Sequence, residues 1–330
     1  MNILYTCDNN FVWLMGISAI SLFENNKHIK EIKVILLGEK ISEKNKLHLN
    51  DIAQKYNREI EIIDVPKIDI PSSLTTARWP LSAFTRLYAG RLLPSTIKKI
   101  LYLDCDTVIS GDIGEIENID LGSNVVLGVK DCIGGLYKEN IGLNKDDSYF
   151  NAGVLLIDLD KLRLIDINRK IEVFMKKYRN VICFADQDIL NGILKGRIGV
   201  LEPQYNLMTL IATYEFKDVI KLRRPTNYYS KNQFCCALAS PKIIHYTTNM
   251  LVIRPWYANS DHPLKDEFIK YRNISPWKNF KFKDMFFTSN EAKLFFLISK
   301  LPKDISFFIL GISHSVIKPF CMRLKSMLCS

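Results

Sequence analysis

The sequence lacks the paired cysteines that a disulfide scaffold or a zinc site would show. Its eight cysteines are scattered, and none belongs to a CxxC pair. The first residues, MNILYTCDNNF, reach Asp8 before any long apolar run, so we expect neither a secretory signal nor an N-terminal membrane anchor. The cysteines are then expected to be reduced thiols, and the protein to be cytoplasmic.

Glycine-rich phosphate loops are missing as well. Neither GxGxxG nor GxxxxGK[ST] follows an apolar run, which excludes a dinucleotide fingerprint and a P-loop. Repeats of fixed period and low-complexity tracts are also absent from the sequence, which excludes a solenoid. With 330 residues, 48% of them hydrophobic, the chain can form one large domain with an appendage.

Positive charge is concentrated in the last part of the chain. The net charge is +10, and residues 281–330 contribute about half of the excess. This tail alternates apolar clusters with lysines, and no uncharged run in it approaches the roughly 20 residues of a spanning helix. We expect a helical tail that cannot cross a bilayer but lies on an anionic membrane surface. The alternative is a helical hairpin packed on the domain formed by residues 1–280.

Residues 1–280 alternate between apolar runs and helix-like stretches. Strand-like runs include IKVILLG, EIEIIDVP, KILYLDCD, NVVLGVKD, AGVLLIDLD and KIIHYTT. The alternation predicts an α/β fold with a mostly parallel sheet covered by helices on both faces. Ligands bind beyond the carboxyl ends of such strands. The polar residues at those ends are Asp8, Asp104, Asp106, Asp131 and His245.

Asp104 and Asp106 are separated by one residue and directly follow the run ILYL. Such a pair offers hard oxygen ligands to Mn²⁺ or Mg²⁺, and a metal held there can neutralise a diphosphate. His245, at the end of KIIH, adds an imidazole that Mn²⁺ accepts. A D-x-D pair also occurs in caps and solvated turns, and a histidine at a strand end is often only hydrogen-bonded. The pair alone leaves both interpretations open.

Four motifs occur in one order: LYLDCDTVISGDI, YFNAGVLLIDLDKLR, DQDILNGILKG, and IIHYTT with a later RPW. Together they resemble glycosyltransferase family 8, the retaining bacterial lipopolysaccharide and capsule galactosyl- and glucosyltransferases. The resemblance covers about residues 1–280. It implies a GT-A fold with a Rossmann-like sheet and Mn²⁺, or else Mg²⁺, as cofactor. It also implies transfer of galactose or glucose from a UDP-sugar with retained configuration.

The resemblance also implies roles for individual residues. The implied metal ligands are Asp104, Asp106 and His245. The implied donor-binding residues are Thr6, Asp8, Asn10, Arg86, Asp104, Cys105, Asn151, Ala152, Asp188 and Arg254. The implied acceptor-binding residues are Arg78, Trp79 and Asp131. Without the resemblance, Arg86 is a surface arginine, Trp79 is a core side chain and FNAG is a plain strand start.

The triplet DQD at 186–188 is expected to carry the chemistry. The resemblance implies that Gln187 lies beneath the anomeric carbon and Asp188 at the hexose hydroxyls, while Asp186 could cap the following helix. Retaining glycosidases use a carboxylate nucleophile, and an amide is a much poorer one. We therefore expect same-face substitution: UDP leaves, a cationic sugar forms beside the Gln187 carbonyl oxygen, and the acceptor hydroxyl enters from the side of the diphosphate. Mn²⁺ and nearby cations would stabilise the leaving charge.

One stretch departs from the family pattern. HYTTNMLVIRPW has about three extra residues, lacks a glycine, and offers Arg254 where the family has a lysine at the diphosphate. Arginine can pair with phosphate bidentately. The stretch HPLKDEFIKYRNISPWKN resembles the C-terminal helical part of capsule and lipopolysaccharide enzymes, so a lipid-linked glycan at the inner leaflet is the expected acceptor. UDP-galactose and UDP-glucose both stay open, because they differ by one hydroxyl.

Three other classes of protein would account for part of the sequence. A non-catalytic module that binds sugar nucleotides would not need the intact Asp104, Asp106, Gln187 and His245. A nucleic-acid-binding protein would use the positive charge, but zinc-finger spacing and RNP motifs are absent, so we expect no nucleic-acid partner. A sugar nucleotidyltransferase usually opens with a glycine-rich basic loop, which does not follow NILYT.

Overall fold

The computed structural model describes residues 1–65, 84–249 and 252–328. Seven of the described strands form a large sheet in the order β3-β2-β1-β4-β7-β6-β8, and three form a small sheet in the order β5-β10-β9. The strands are β1 Asn2–Asp8, β2 Lys33–Glu39, β3 Glu59–Asp64, β4 Lys99–Leu103, β5 Thr107–Ile109, β6 Val126–Lys130, β7 Phe150–Asp158, β8 Ile198–Val200, β9 Leu207–Met208 and β10 Ile243–His245.

The large sheet is mostly parallel, which confirms the expected α/β architecture. Its exception is β7, which runs antiparallel to both of its neighbours, β4 and β6. The start of β7 therefore lies at the same edge as the ends of β4 and β6. Leu103 at the end of β4 pairs with Val154, and Lys130 at the end of β6 pairs with Phe150. This reversal brings the FNAG motif beside the D-x-D pair.

Helices cover both faces of the large sheet, because alternate strand residues are apolar on each side. Ile3 and Tyr5 pack into one buried cluster and Leu4 into another. The α-helices are α1 Val12–Asn25, α2 Glu43–Tyr56, α3 Ala89–Leu92, α4 Gly135–Asn140, α5 Leu159–Arg163, α6 Ile167–Tyr178, α7 Ala185–Ile193, α8 Thr209–Thr213, α9 Phe216–Arg223, α10 Lys231–Ala239, α11 Lys265–Arg272, α12 Asn290–Ser299, α13 Lys303–Ile312 and α14 Lys318–Leu328. Short 3₁₀ turns span Arg86–Tyr88, Gly114–Asn118, Arg179–Val181 and Pro203–Asn206.

The tail contains a longer helix than its sequence suggested. A π-helical segment, Ser313–Ile317, joins α13 to α14, so that Lys303–Leu328 forms one helix of 26 residues. By length and composition alone, its 26 residues and the mean hydropathy of 1.5 of its most apolar 18 residues would suffice to cross a membrane. By length and composition, the expectation that the tail cannot cross was therefore wrong, because residues 305–322 contain one charge, Lys318, which interrupts the apolar run without making the segment polar.

The side of this helix that faces the domain consists mostly of small or polar residues. Gly311 packs against the main-chain oxygen of Lys221, and Ser315 Oγ donates a hydrogen bond of 2.7 Å to the main-chain oxygen of Arg223. Leu310 is buried and Phe307 packs on Tyr214, but most of the large apolar side chains point outward. The exposed ones are Ile305, Phe308, Ile309, Val316, Ile317, Phe320, Leu324, Met327 and Leu328. This arrangement is the reverse of that of an ordinary surface helix.

Candidate active site

Asp104, Asp106 and His245 meet at the junction of the two sheets. Asp104 directly follows β4, and the turn that contains Asp106 leads into β5, whose Thr107 pairs antiparallel with His245 of β10. One ligand atom from each of the three side chains lies within 4.8 Å of the others. His245 Nε2 is 3.1 Å from Asp106 Oδ1 and 3.7 Å from Asp104 Oδ2. Two carboxylates and an imidazole are a ligand set that Mn²⁺ accepts, so these residues could hold a divalent metal. We refer to Asp104, Asp106 and His245 as the metal group.

The charges of this group depend on each other. Burial alone would raise the pKa of Asp106, but the positive charges of His245 and Arg254 lower that pKa to about 2. Burial would likewise lower the pKa of His245, yet the carboxylates of Asp106 and Asp104 outweigh it and raise that pKa. A divalent cation would replace the proton on the imidazole and satisfy the same carboxylates.

Arg86 contacts the carboxylate oxygen of Asp104 that does not face His245. It lies in the 3₁₀ turn before α3 and is only 9% exposed, which excludes the alternative that it is a surface arginine. Its Nη2 is 2.9 Å from Asp104 Oδ1, its Nε is 3.1 Å from Asp186 Oδ2, and its Nη1 donates to the main-chain oxygen of Ala152 at 2.7 Å. The guanidinium also stacks on Tyr102, 4.4 Å from the ring centre. Arg86 thus ties the D-x-D turn to β7 and α7.

Asp186 was expected to cap a helix, but its side chain forms an ion pair with Arg86 instead. Helix α7 begins at Ala185 with Phe184 as its N-cap, and Asp186 turns into the site to pair with Arg86. Burial raises the pKa of Asp186 to about 6, although the charge of Arg86 opposes the shift. A third carboxylate, that of Asp186, therefore lies close to those of Asp104 and Asp106. The signal was present in the DQD triplet, but the sequence does not show which aspartate faces the sheet.

The Gln187 side chain connects Asn151 and Ala152 at the start of β7 with Asp131, which follows β6. Its Oε1 accepts hydrogen bonds from Asn151 Nδ2 at 3.0 Å and from the main-chain N–H of Ala152 at 3.1 Å. Its Nε2 donates to Asp131 Oδ2 at 2.9 Å and to the Tyr149 hydroxyl at 3.2 Å. Both lone pairs of the carbonyl oxygen are engaged, since an amide oxygen has two. Contact of this oxygen with a cationic sugar would require Asn151 to turn away.

Asp188 does not face the cleft. It is 2% exposed, and its carboxylate accepts hydrogen bonds from the Tyr149 hydroxyl at 2.6 Å and from the main-chain N–H groups of Cys183 and Phe184 at 2.7 and 2.8 Å. Burial raises its pKa. A sugar contact by Asp188 would break these bonds, so its position favours a role in shaping the start of α7 over the predicted contact with hexose hydroxyls.

The residues expected to hold the nucleotide lie together at the end of β1. Asp8 Oδ1 accepts a hydrogen bond of 2.8 Å from the main-chain N–H of Asn10, which closes a turn after the strand. Cys105, between the two aspartates, directs its thiol to the main-chain oxygen of Thr6 at 3.7 Å. The end of β1 and the D-x-D turn therefore form one continuous surface.

Arg254 reaches the metal group despite the longer loop before it. Its Nη2 is 3.5 Å from Asp106 Oδ2 and donates to Thr248 Oγ1 at 2.5 Å, and its guanidinium lies 5.2 Å from the ring centre of Trp256. The predicted acceptor residues Arg78 and Trp79 lie outside the described residues. Asp131, the third of them, lines a cavity of about 180 Å³ with Asn151 and Gln187.

Asn206 was not anticipated by any sequence motif. It is fully buried in the 3₁₀ turn Pro203–Asn206 and connects two predicted site residues. Its Oδ1 is 3.0 Å from His245 Nδ1, and its Nδ2 donates to Asn151 Oδ1 at 2.8 Å. Asn206 thus links His245 to Asn151, one of the predicted donor-binding residues, although the surrounding sequence LEPQYNLM contains no recognisable motif.

The mostly parallel sheet, with two aspartates and a histidine at its junction with the small sheet, places the protein among the GT-A glycosyltransferases. The chain belongs to glycosyltransferase family 8, since the family model "Glycosyl transferase family 8" matches residues 2–260. A divalent metal is typical of this class, which agrees with the ligand group formed by Asp104, Asp106 and His245.

Several bacterial proteins resemble most of the chain. General stress protein A of Bacillus subtilis is 26% identical over 282 residues, which span 84% of this chain and 94% of the relative. Lipopolysaccharide 1,2-glucosyltransferase of Escherichia coli K12 is 27% identical over 287 residues, 84% of this chain and 79% of the relative. The crystal structure of galactosyltransferase LgtC with donor and acceptor sugar analogs matches 89% of this chain and 99% of LgtC. It has a TM-score of 0.68 and 25% identity.

Proposed function

We propose that the protein is a retaining, metal-assisted hexosyltransferase. It moves galactose or glucose from a UDP-sugar to a hydroxyl of a lipid-linked glycan such as lipopolysaccharide or capsule. The observation that carries this proposal is the group formed by Asp104, Asp106 and His245, which adjoins the cleft lined by Asn151 and Gln187. Family membership supports the reaction class.

Asp104, Asp106 and His245 would hold the metal, with Mn²⁺ as the preferred ion. When bound, such an ion neutralises charge on the diphosphate of the donor. The chain itself supplies two further cations at this point. Arg254 lies 3.5 Å from Asp106 and can reach a phosphate oxygen, and Arg86 holds Asp104 in place at 2.9 Å.

The side chains near the sugar favour same-face substitution. The carboxylate of Asp188 is 2% exposed and accepts three hydrogen bonds, so it is a poor nucleophile. Asp186 is tied to Arg86, and Gln187 presents an amide. In the proposed reaction the bond to UDP breaks first, and the acceptor oxygen then bonds to the anomeric carbon from the same face. Its proton passes to the departing diphosphate.

The proposed acceptor rests on the relatives and on the tail. One relative is a lipopolysaccharide 1,2-glucosyltransferase of Escherichia coli, and another is a lipopolysaccharide 1,3-galactosyltransferase of Salmonella typhimurium. The outward apolar side chains of Lys303–Leu328, set among basic residues, suit attachment to an anionic leaflet. We place the protein in the cytoplasm, peripherally on the inner face of the cell membrane, where lipid-linked acceptors would be presented.

The first experiment measures UDP release from UDP-galactose and UDP-glucose, each with Mn²⁺ and with a chelator. We expect release from one of them to depend on Mn²⁺ and to fall at least about a hundredfold in Asp106→Ala, because a carboxylate ligand is lost. Asp112→Ala is the matched control, since that aspartate is exposed and lies outside the site.

Retention is checked by NMR of the transfer product formed with the active donor. An α-linked product from the α-linked donor supports the proposal, and a β-linked product would refute same-face substitution. Metal-dependent UDP binding without turnover, with or without added glycans, would instead favour a non-catalytic module.

A further inference from the structure

The cavity beside Gln187 has walls from two parts of the chain. Gln187, Asn151 and Asp131 form one wall. Arg223, the last residue of α9, and His314, in the π-helical segment of the tail, form part of the other. The family model ends at residue 260, so His314 lies beyond the part of the chain that it matches. The tail therefore contributes directly to the cleft.

Close packing fixes His314 beside Arg223. The next residue, Ser315, donates a hydrogen bond of 2.7 Å to the main-chain oxygen of Arg223. One turn earlier, Gly311 packs against the main-chain oxygen of Lys221, where a larger residue would clash. The imidazole also contacts the ring of Tyr137, with ring centres 5.4 Å apart. His314 is thus held at the cavity rather than placed there by a loose terminus.

Three polar groups at this cavity have no partner among the described residues. The guanidinium of Arg223 forms neither an ion pair nor a side-chain hydrogen bond within the described ranges. Within the same ranges, His314 Nδ1 and Asn249 Nδ2 are buried without a hydrogen bond, and Asn249 is only 8% exposed. A buried polar group without a hydrogen bond is destabilising, so a ligand that pairs His314 and Asn249 would be favoured. Arg223 is part-buried and offers its guanidinium to the same ligand.

The three groups differ in what they can bind. Arg223 carries a permanent positive charge and a planar fork of donors that matches a carboxylate or a phosphate. Burial and the nearby charges of Arg223 and Lys318 lower the pKa of His314 to about 2, so its imidazole is neutral at physiological pH. His314 and Asn249 can then bind hydroxyl or other uncharged oxygen groups.

The lining of the cavity does not include the metal group. Asp104, Asp106 and His245 do not line it, whereas Gln187 and Asn151 do. Resting on the function proposed above, we propose that this cavity binds the acceptor and that Arg223 recognises an anionic group on the acceptor glycan. The group is a carboxylate or a phosphate, and His314 and Asn249 bind neighbouring oxygens of the same sugar.

The test uses the full-length protein with Mn²⁺ and UDP and three small probes. Methyl β-glucuronide carries a carboxylate, glucose 6-phosphate carries a phosphate, and methyl β-glucoside is neutral. Dissociation constants are measured by calorimetry or saturation-transfer NMR. We expect at least one anionic probe to bind about tenfold more tightly than the neutral one, and its identity names the anionic group.

Variants assign the preference to Arg223. The preference should disappear in Arg223→Gln and persist in part in Arg223→Lys. Lys217→Gln is the matched control, because it removes one charge from the exposed side of the same helix, where Lys217 pairs with Glu215. Thermal unfolding verifies that each variant is folded.

Two results would overturn the inference. One is the absence of any preference for an anionic probe in the wild type, including failure of all three to bind. The other is a preference that survives in Arg223→Gln. Metal-dependent UDP-sugar hydrolysis without acceptor is measured separately, so failure of the glycosyltransferase proposal is distinguished from failure of this one.

Discussion

Asn206 fixes which nitrogen of His245 carries the proton when the imidazole is neutral. The main-chain N–H of Gly153 can only donate, so the atom of Asn151 that it contacts at 3.0 Å is an oxygen. That oxygen accepts from Asn206 Nδ2 at 2.8 Å, which turns Asn206 Oδ1 towards His245 Nδ1 at 3.0 Å. The proton therefore lies on Nδ1, and Nε2 offers its lone pair towards Asp104 and Asp106.

Replacing Asn206 should weaken metal binding without removing a ligand. In Asn206→Ala the imidazole loses the partner that orients it, and such losses cost about 10- to 100-fold in metal affinity. Calorimetric titration with Mn²⁺ measures the effect. Gln204→Ala, on the same 3₁₀ turn, is the control. Equal affinity of Asn206→Ala and wild type would show that the ring is oriented without Asn206.

Gly153→Ala should damage the same group by crowding. A Cβ at this position would lie 2.7 Å from His245 Nδ1 and 2.8 Å from Asp104 Oδ2, closer than real side chains approach. We expect Mn²⁺ affinity to fall at least about tenfold, since the imidazole and a carboxylate must move apart. Gly128→Ala is the milder control, because its nearest neighbour, Leu155 Cδ2, is 3.3 Å away. Wild-type affinity in Gly153→Ala would contradict this reasoning.

Much of the fold and several site contacts follow from local sequence patterns. Buried strands such as KILYL appear as apolar runs, and parallel strands collect their ends at one edge, so Asp104 and Asp106 could be placed from the sequence. The antiparallel direction of β7 could not, because apolar content does not encode strand direction. Yet that reversal brings Asn151 to the D-x-D turn.

The roles within the DQD triplet could not be assigned from the sequence either. Which of Asp186 and Asp188 faces Arg86 depends on where α7 starts, and a one-residue change rotates a helical side chain by about 100°. The capping expectation favoured a start after Asp186, whereas the helix begins at Ala185. The contact of His314 with the cleft depends on tail docking, which local patterns do not predict.

His262 should make the stability of the fold sensitive to acid. It is 4% exposed, accepts a hydrogen bond from the main-chain N–H of Leu264 through Nδ1, and lies 3.2 Å from Thr209 Oγ1 through Nε2. Burial lowers its pKa from 6.5 to about 4. The unfolded chain therefore binds a proton more readily, so the stabilisation is complete above pH 6.5 and is lost as the pH falls towards 4.

Urea unfolding of wild type and His262→Gln at several pH values tests this dependence. The free energy of unfolding of the wild type should fall more steeply between pH 6.5 and 4, by up to about 3 kcal/mol. His28→Gln is the control, because His28 is exposed. Parallel profiles for wild type and His262→Gln would exclude His262 as the cause.

The outward face of the tail should govern attachment to membranes. Ile317 and Phe320 are 52% and 51% exposed on Lys303–Leu328, and insertion of such side chains into a leaflet contributes up to about 1.5–3 kcal/mol each. We expect Ile317→Ser with Phe320→Ser to reduce binding to vesicles containing anionic lipid at least about tenfold in a flotation assay. Leu164→Ser, which removes an exposed apolar side chain of the domain, should leave binding unchanged. Washing membranes at alkaline pH then separates two arrangements: release supports a helix lying on the surface, and retention would mean that Lys303–Leu328 crosses the bilayer.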